Sequence, residues 1–307
     1  MTAAAPAVVA VVGATATGKS DLAVELAVRL GGEVVNADSM QLYRGMDVGT
    51  AKLTAAERRG VPHHLLDVGD VRVAANVADY QSLVRRTLLD LASRGRPAVL
   101  VGGSGLYVRA ALDDLAFPGT DDDVRARLED ELADQGPAAL HARLREVDPA
   151  AAAAILASNG RRVVRALEVV EITGRPFTAS LPEPGAYAVP AVQLGLALDR
   201  PALDQRIAAR VDRMWAGGLV DEVRRLADEG LREGRTASRA HGYAQVQRHL
   251  AGEWTEQQAR DETVRATRRF ARRQESWFRR DPRVRWRAAG APDLVERALA
   301  GTRAVPT

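Results

Sequence analysis

The chain has 307 residues, 46% of them hydrophobic and 27% charged, with a formal net charge of +3. That composition belongs to a globular protein of one large domain or two unequal ones, and it excludes a disordered or fibrous chain. There is no cysteine, which excludes disulfides, thiolate zinc sites and thiol nucleophiles and fits a reducing compartment. No apolar run approaches a membrane span, and no basic-then-apolar leader opens the chain, so a cytoplasmic protein without membrane contact is expected. The basic residues are arginines except for Lys19 and Lys52.

The apolar, β-branched run Val8 to Val12 predicts a buried parallel strand. It leads into Gly13-Ala14-Thr15-Ala16-Thr17-Gly18-Lys19-Ser20, and then into Leu22, Ala23, Leu26, Ala27 and Leu30 on one helical face. Strand, G-x-x-x-x-G-K-S and helix together make a phosphate-binding loop. Its backbone N–H groups and the helix N-terminus would surround phosphate oxygens, with Lys19 on the terminal phosphates and the Ser20 hydroxyl offered to Mg²⁺.

A second strand, Glu33 to Asn36, ends at Asp38-Ser39-Met40-Gln41-Leu42-Tyr43. Ligands of open α/β sheets lie beyond the carboxyl ends of strands. Asp38 would therefore either face the crevice shared with Lys19, as a proton acceptor or a water-mediated metal ligand, or cap the following turn. Gly45 to Lys52 reads as a loop, and His63 and His64 as hydrogen-bonded structural residues. Val73 to Leu91 reads as a helix, and Ala98 to Val101 as a third strand running into Gly102-Gly103-Ser104-Gly105-Leu106-Tyr107. That strand lacks the terminal aspartate of a motor ATPase's magnesium site, which argues against a hydrolysis-driven machine.

From Asp121 to about Glu183 the pattern is helical, with breaks at Gly136-Pro137, Asp148-Pro149 and Asn159-Gly160. This reads as a helical insertion, and Arg161, Arg162 and Arg165 give it a basic face, suited to phosphates or simply to solvent. A strand at Val192 to Leu198 follows, and the remainder is helical up to Gly290, beyond which the chain reads as a polar, poorly ordered tail apart from one short helical turn. Arg206, Arg210 and Arg213 recur at helical spacing, so one face could meet pyrophosphate. Thr263 to Arg287 holds ten arginines against only Glu275 and Asp281, which suits either a polyanion or a solvated helix face.

In these blocks the sequence resembles the tRNA dimethylallyltransferases, isopentenyl transferases that act on the adenosine beside the anticodon. The resemblance is carried by Gly13 to Ser20, Asp38 to Tyr43, Gly45-Met46-Asp47-Val48-Gly49-Thr50-Ala51-Lys52, His64-Leu65-Leu66-Asp67 and Gly102 to Tyr107. It continues in Arg165-Ala166-Leu167-Glu168-Val169, Gly242-Tyr243-Ala244-Gln245 and Ala271-Arg272-Arg273-Gln274-Glu275-Ser276-Trp277-Phe278. It implies an α/β fold with a P-loop NTPase-like parallel sheet core (1–117 and 191–290), a helical insertion contacting tRNA (118–190), a helical C-terminal region and a tail (291–307). It also implies a monomer that takes dimethylallyl diphosphate as donor and the tRNA anticodon stem-loop as acceptor, with Mg²⁺ as cofactor beside Ser20.

Asp38 matches the family's general base, and Ser104 stands near it where threonine is usual. Asp38, Ser39, Met40, Gln41, Ser104, Arg125, Arg161, Arg162, Val163, Val164 and Arg165 match tRNA-contacting positions. Arg161 replaces a common glutamine and His241 a common aliphatic residue. The competing readings are an adenylate isopentenyltransferase of the cytokinin type, a small-molecule kinase and an RNA-binding nucleotide switch. The arginine-rich segments, the Asp38 block and the lack of an N-K-x-D guanine reader respectively weigh against them.

Overall fold

Every residue of Val8–Gly13 is buried, which marks this run, β1, as a strand covered on both faces. The computed structural model describes residues 8–177 and 184–302, and places β1 near the middle of a six-stranded, wholly parallel sheet. The other strands are β2 (Glu33–Asn36), β3 (His63–His64), β4 (Ala98–Gly102), β5 (Ala191–Ala197) and β6 (Val284–Ala288). Their spatial order is β3-β2-β4-β1-β5-β6. The chain leaves β1 for one side of the sheet and later returns to the other, so the switch point lies at the carboxyl end of β1, where α/β folds bind ligands.

Helix α1 (Lys19–Leu30) buries Leu22, Ala23, Leu26 and Ala27 against Val9, Val11, Val34, Val99 and Leu194. Helices α2 (Val77–Ser93) and α3 (Gly105–Leu112) pack on β2 and β4. The chain divides into two compact units, 1–113 with 187–307, and 114–186. Within the second unit, α4 (Asp122–Val147) bends at Gly136-Pro137, α5 (Pro149–Ala154) is capped by Asp148, and α6 (Gly160–Thr173) is capped by Asn159. Leu128, Leu140, Leu144, Ile155, Val163 and Val164 form its core. The end of the expected helical stretch, residues 178–183, lies outside the described residues.

The first unit continues with α7 (Arg200–Ala216), α8 (Leu219–Asp228), α9 (Tyr243–Leu250), α10 (Glu256–Arg279) and α11 (Leu294–Thr302). Three elements go beyond the expectation. His63 and His64, expected as hydrogen-bonded structural residues, form a short edge strand, held where His64 Nε2 meets Glu33 Oε2 at 2.7 Å. The Arg94 guanidinium, with help from His64, holds the Glu33 carboxyl down to about 2. Val284–Ala288 pairs with β5 as the other edge, its alternation hidden among arginines. The one short helical turn expected in the tail is α11, nine residues long, because Ala298 and Thr302 are buried and Ala298 closes the core over α1 and β5.

The turn after β4 is tight against the end of β2. A Cβ at Gly102 would stand 2.2 Å from the Ala37 carbonyl oxygen, a backbone contact that cannot rotate away. Gly102→Ala should therefore cost about 3 kcal/mol, at the upper end of the range for overpacked cores, read as a lowered denaturant midpoint with unchanged slope.

Candidate active site

The loop after β1 turns on glycines, and its Thr15 amide is taken by Gln274 Oε1 at 2.9 Å. Gly13 has φ +133°, and a Cβ there would lie 2.7 Å from the Leu196 carbonyl oxygen. Gly18 caps α1 in a left-handed conformation, with no side chain hydrogen-bonded to the first turn. By contrast, the starts of α2, α4, α6, α7 and α10 are each capped by a side chain. An uncapped, partly positive helix start at the carboxyl end of a central strand is suited to an anion. Thr17 Oγ1 and Lys19 Nζ both donate to the Ala14 carbonyl, at 2.8 and 2.7 Å, which fixes the loop's curl around Ala16 at φ +65°.

Lys19, Ser20, Ala16 and Gly18 open onto a cleft of about 890 Å³, whose far wall is Arg206, Arg210 and Arg213 of α7. The predicted arginine stripe and phosphate loop thus meet across one cavity. Desolvation lowers the Lys19 ammonium to about 8, the Arg210 charge adds to that, and Asp38 opposes it. Burial likewise lowers Arg210, against the pull of Asp38. Two cations lowered by burial face one cleft, an arrangement suited to an anionic ligand.

A second, more apolar cavity of about 230 Å³ adjoins it, sharing Arg210 and Met214. Asp38, Ser39, Met40 and Ser104 line it together with Thr15, Thr50, Tyr243 and Phe270. Asp38 Oδ1 accepts from Met40 N at 2.9 Å, and its own N–H donates to Asn36 Oδ1 at 2.8 Å. One Asp38 oxygen therefore anchors the turn while the side chain lines the cavity. Ser104 occupies the N-cap position of α3, yet its hydroxyl caps nothing there. It turns instead to Ser39, accepting from Ser39 N at 3.2 Å and lying 3.3 Å from Ser39 Oγ.

The loop Gly45 to Lys52 walls both cavities. Glu222 accepts from the consecutive amides of Asp47, Val48 and Gly49 at 3.0, 2.7 and 3.1 Å, and from the Tyr243 hydroxyl. Lys52 is buried, bonded to Asp47 and Asp67 at 2.6 Å each and to the Tyr43 carbonyl at 3.0 Å. This second lysine is structural. Gln41 donates to the Thr50 carbonyl at 3.2 Å and so ties the Asp38 block to the same loop.

Among the α10 arginines, Arg265 and Arg269 pair with Glu262, Arg279 with Glu275 and Arg268 with Asp204. Arg272, Arg273 and Arg280 form no ion pair among the described residues, and with Arg269 they surround Trp277 in a basic, aromatic hollow. Trp277 is 39% exposed, and its indole lies where a Cβ of Gly105 would be, beside Ser104.

In the second unit, Arg161 and Arg162 are exposed at the start of α6. Arg125 and Arg165 instead converge on Glu168, which is 0% exposed; Arg165 reaches it at 2.9 Å and also donates to the Pro118 and Gly119 carbonyls. Val163 and Val164 put their side chains into the core of this unit, so what they offer a partner is backbone. Gln274, Glu222, Tyr243 and Phe270 are site residues that pattern reading leaves without a role, although two of the quoted blocks contain Tyr243 and Gln274.

A family model described as IPP transferase matches residues 41–281, a span that includes Ser104 and the α7 arginines but begins after the phosphate loop and Asp38. A tRNA dimethylallyltransferase of Thermobifida fusca is 69% identical over 298 residues, covering 95% of this chain and 93% of the relative. One of Streptomyces avermitilis is 69% identical over 293 residues, with the same shares covered. The crystal structure of a tRNA isopentenylpyrophosphate transferase from Bacillus halodurans superposes with a TM-score of 0.70 at 42% identity, covering 96% of each chain. A eukaryotic dimethylallyltransferase acting on tRNA, 24% identical, shares the fold with a TM-score of 0.79, over 95% of this chain and 77% of that one.

Proposed function

Because the chain belongs to the IPP transferase family, we infer that it transfers a dimethylallyl group from dimethylallyl diphosphate to the exocyclic N6 amine of the adenosine 3′-adjacent to the anticodon in tRNA. Diphosphate is released. The observation that carries this reading is the pair of adjoining cavities, one cationic and one apolar, joined at Arg210 with Lys19 on one side and Asp38 on the other.

Transfer breaks the bond between the allylic carbon and the diphosphate oxygen, and forms the bond from that carbon to N6. Positive charge grows on the allylic carbon as the leaving group gains charge, so the enzyme must hold the diphosphate more tightly as it departs. The uncapped start of α1, with Lys19, Arg206 and Arg210, is suited to that. An exocyclic aryl amine is a weak nucleophile, and its surplus proton passes to the Asp38 carboxylate. Ser104, held beside Ser39, is the polar group next to that amine. The Met40, Met214 and Phe270 side chains shelter the reacting carbon from water.

The Ser20 hydroxyl opens onto the phosphate cleft, and no cluster of three or more His, Asp or Glu among the described residues could hold an ion unaided. That donor set fits Mg²⁺, which takes few protein ligands and fills its shell with phosphate oxygens and water. When bound beside Ser20 it would neutralise charge on the departing diphosphate. A tRNA acceptor puts the proposed site of action in the cytoplasm, and none of the described helices is long and apolar enough to cross a membrane.

The target adenosine must leave the anticodon stack, which calls for cationic contacts to the RNA backbone and a pocket for the base. Arg272, Arg273 and Arg280 around Trp277, and Arg161 and Arg162 on the second unit, form no ion pair among the described residues and are suited to this. Arg272→Ala and Arg273→Ala should each weaken tRNA binding and lower the slope of log affinity against log salt by about 1, without lowering the rate at saturating tRNA. Filter binding across a salt series reads both.

Incubation with labelled dimethylallyl diphosphate and, separately, unmodified tRNA, AMP or ATP tests the assignment. Label in tRNA alone is the expected result. Label in AMP or ATP would reveal a cytokinin-type enzyme, and label in none would overturn prenyl transfer altogether.

A further inference from the structure

Gln274 is 5% exposed and projects from α10 into the gap between the phosphate loop and the turn after β4. Its Oε1 accepts from Thr15 N at 2.9 Å, and its Nε2 donates to the Gly103 carbonyl at 3.0 Å. The two partners fix the orientation of the amide, because one offers only a donor and the other only an acceptor. Space for it exists because residue 103 has no side chain; a Cβ there would lie 2.2 Å from Nε2.

We propose that Gln274 is a positioning residue for the transfer, fixing the spacing between the donor-holding loop and the acceptor-side turn with a single buried amide. Thr15 lies in the loop that carries Lys19 and Ser20, and it also lines the Asp38 cavity. Gly103 immediately precedes Ser104, whose hydroxyl holds the Ser39 backbone next to Asp38. The two halves of the reaction, leaving-group capture and amine activation, therefore meet through one side chain. Attack requires the reacting atoms to be held within a few tenths of an ångström, so loosening that spacing slows the chemical step rather than substrate capture. A buried glutamine supplies one acceptor and one donor in a rigid plane, whereas methionine of similar volume supplies neither. Glutamate supplies the donor only when protonated.

This inference rests on the transfer reaction proposed above, and wild-type turnover tests that reaction separately from the variants. Gln274→Met should lower kcat about tenfold while the affinity for tRNA stays within twofold of wild type. Gln274→Glu should show a similar loss at pH 8. Its activity relative to wild type should rise as pH falls towards 6, because the introduced carboxyl, desolvated and facing a carbonyl oxygen, is protonated there and regains its donor. Methionine could prevent folding, in which case thermal melting exposes the failure and the glutamate variant carries the test. A kcat loss of less than threefold in a folded variant, or a glutamate-to-wild-type ratio that does not change with pH, overturns the role.

Discussion

Replacing Asp38 by alanine will lower the rate at saturating donor and tRNA by about 10²- to 10⁴-fold, the usual contribution of a positioned general base. The affinity for tRNA will change little by comparison, since one carboxylate is a small part of an RNA interface. Alanine also removes the oxygen that accepts from Met40 N at 2.9 Å, so a loss with alanine alone leaves turn collapse as an explanation. The discriminating change is Asp38→Asn. The amide oxygen it introduces still accepts from Met40 N, but the group takes up no proton. Single-turnover rates that fall equally in D38A and D38N assign the loss to proton transfer. Near-wild-type turnover in D38N assigns Asp38 to the turn and removes it from the chemistry.

Lys19→Met will raise the donor KM and lower kcat, about 10²- to 10³-fold in kcat/KM, because it deletes one fixed charge from the leaving-group site. The depressed Lys19 ammonium adds a pH signature. With the group lowered to about 8, chiefly by desolvation and further by Arg210, free enzyme carries the charge below that pH and loses it above. Donor kcat/KM should hold below about pH 8 and decline above it, whereas K19R, which does not titrate in this range, should stay level. The stability consequence has the opposite sense. Between about 8 and the ordinary lysine value of 10.5, the unfolded chain binds a proton that the folded one does not, so stability rises with pH across that window. Lys19→Met removes that rise, which denaturant titrations at pH 8 and 10 detect.

The phosphate loop is legible in sequence because its meaning is local. An apolar β-branched run, a spaced glycine pair and an amphipathic helix adjoin within about thirty residues, and the structure adds only that α1 is left uncapped. The Arg206, Arg210 and Arg213 stripe is legible as a helical face, but which cavity it faces depends on packing. Gln274 is illegible as chemistry, because Thr15, its partner, lies 259 positions away and a buried glutamine has no periodic signature. Arg125 and Arg165 have a partner that the sequence pattern does not disclose. Both bind the buried Glu168 carboxylate, Arg165 from three residues away on the same helix and Arg125 from α4, which only the packed helix pair brings within reach. The edge strand Val284–Ala288 escapes notice because Arg285 and Arg287 occupy alternate positions that read as a basic run. Edge strands tolerate such charge.

The most direct test is a balance sheet for the leaving group. A nucleotide-type loop that holds an isoprenoid diphosphate should release one diphosphate for each N6-prenylated adenosine formed in tRNA, with no ATP present and none hydrolysed when it is added. Quantifying both products from one reaction, with and without ATP, reads this. Equal yields in both conditions are predicted. A requirement for ATP, or release of orthophosphate from ATP in step with product, would contradict the account.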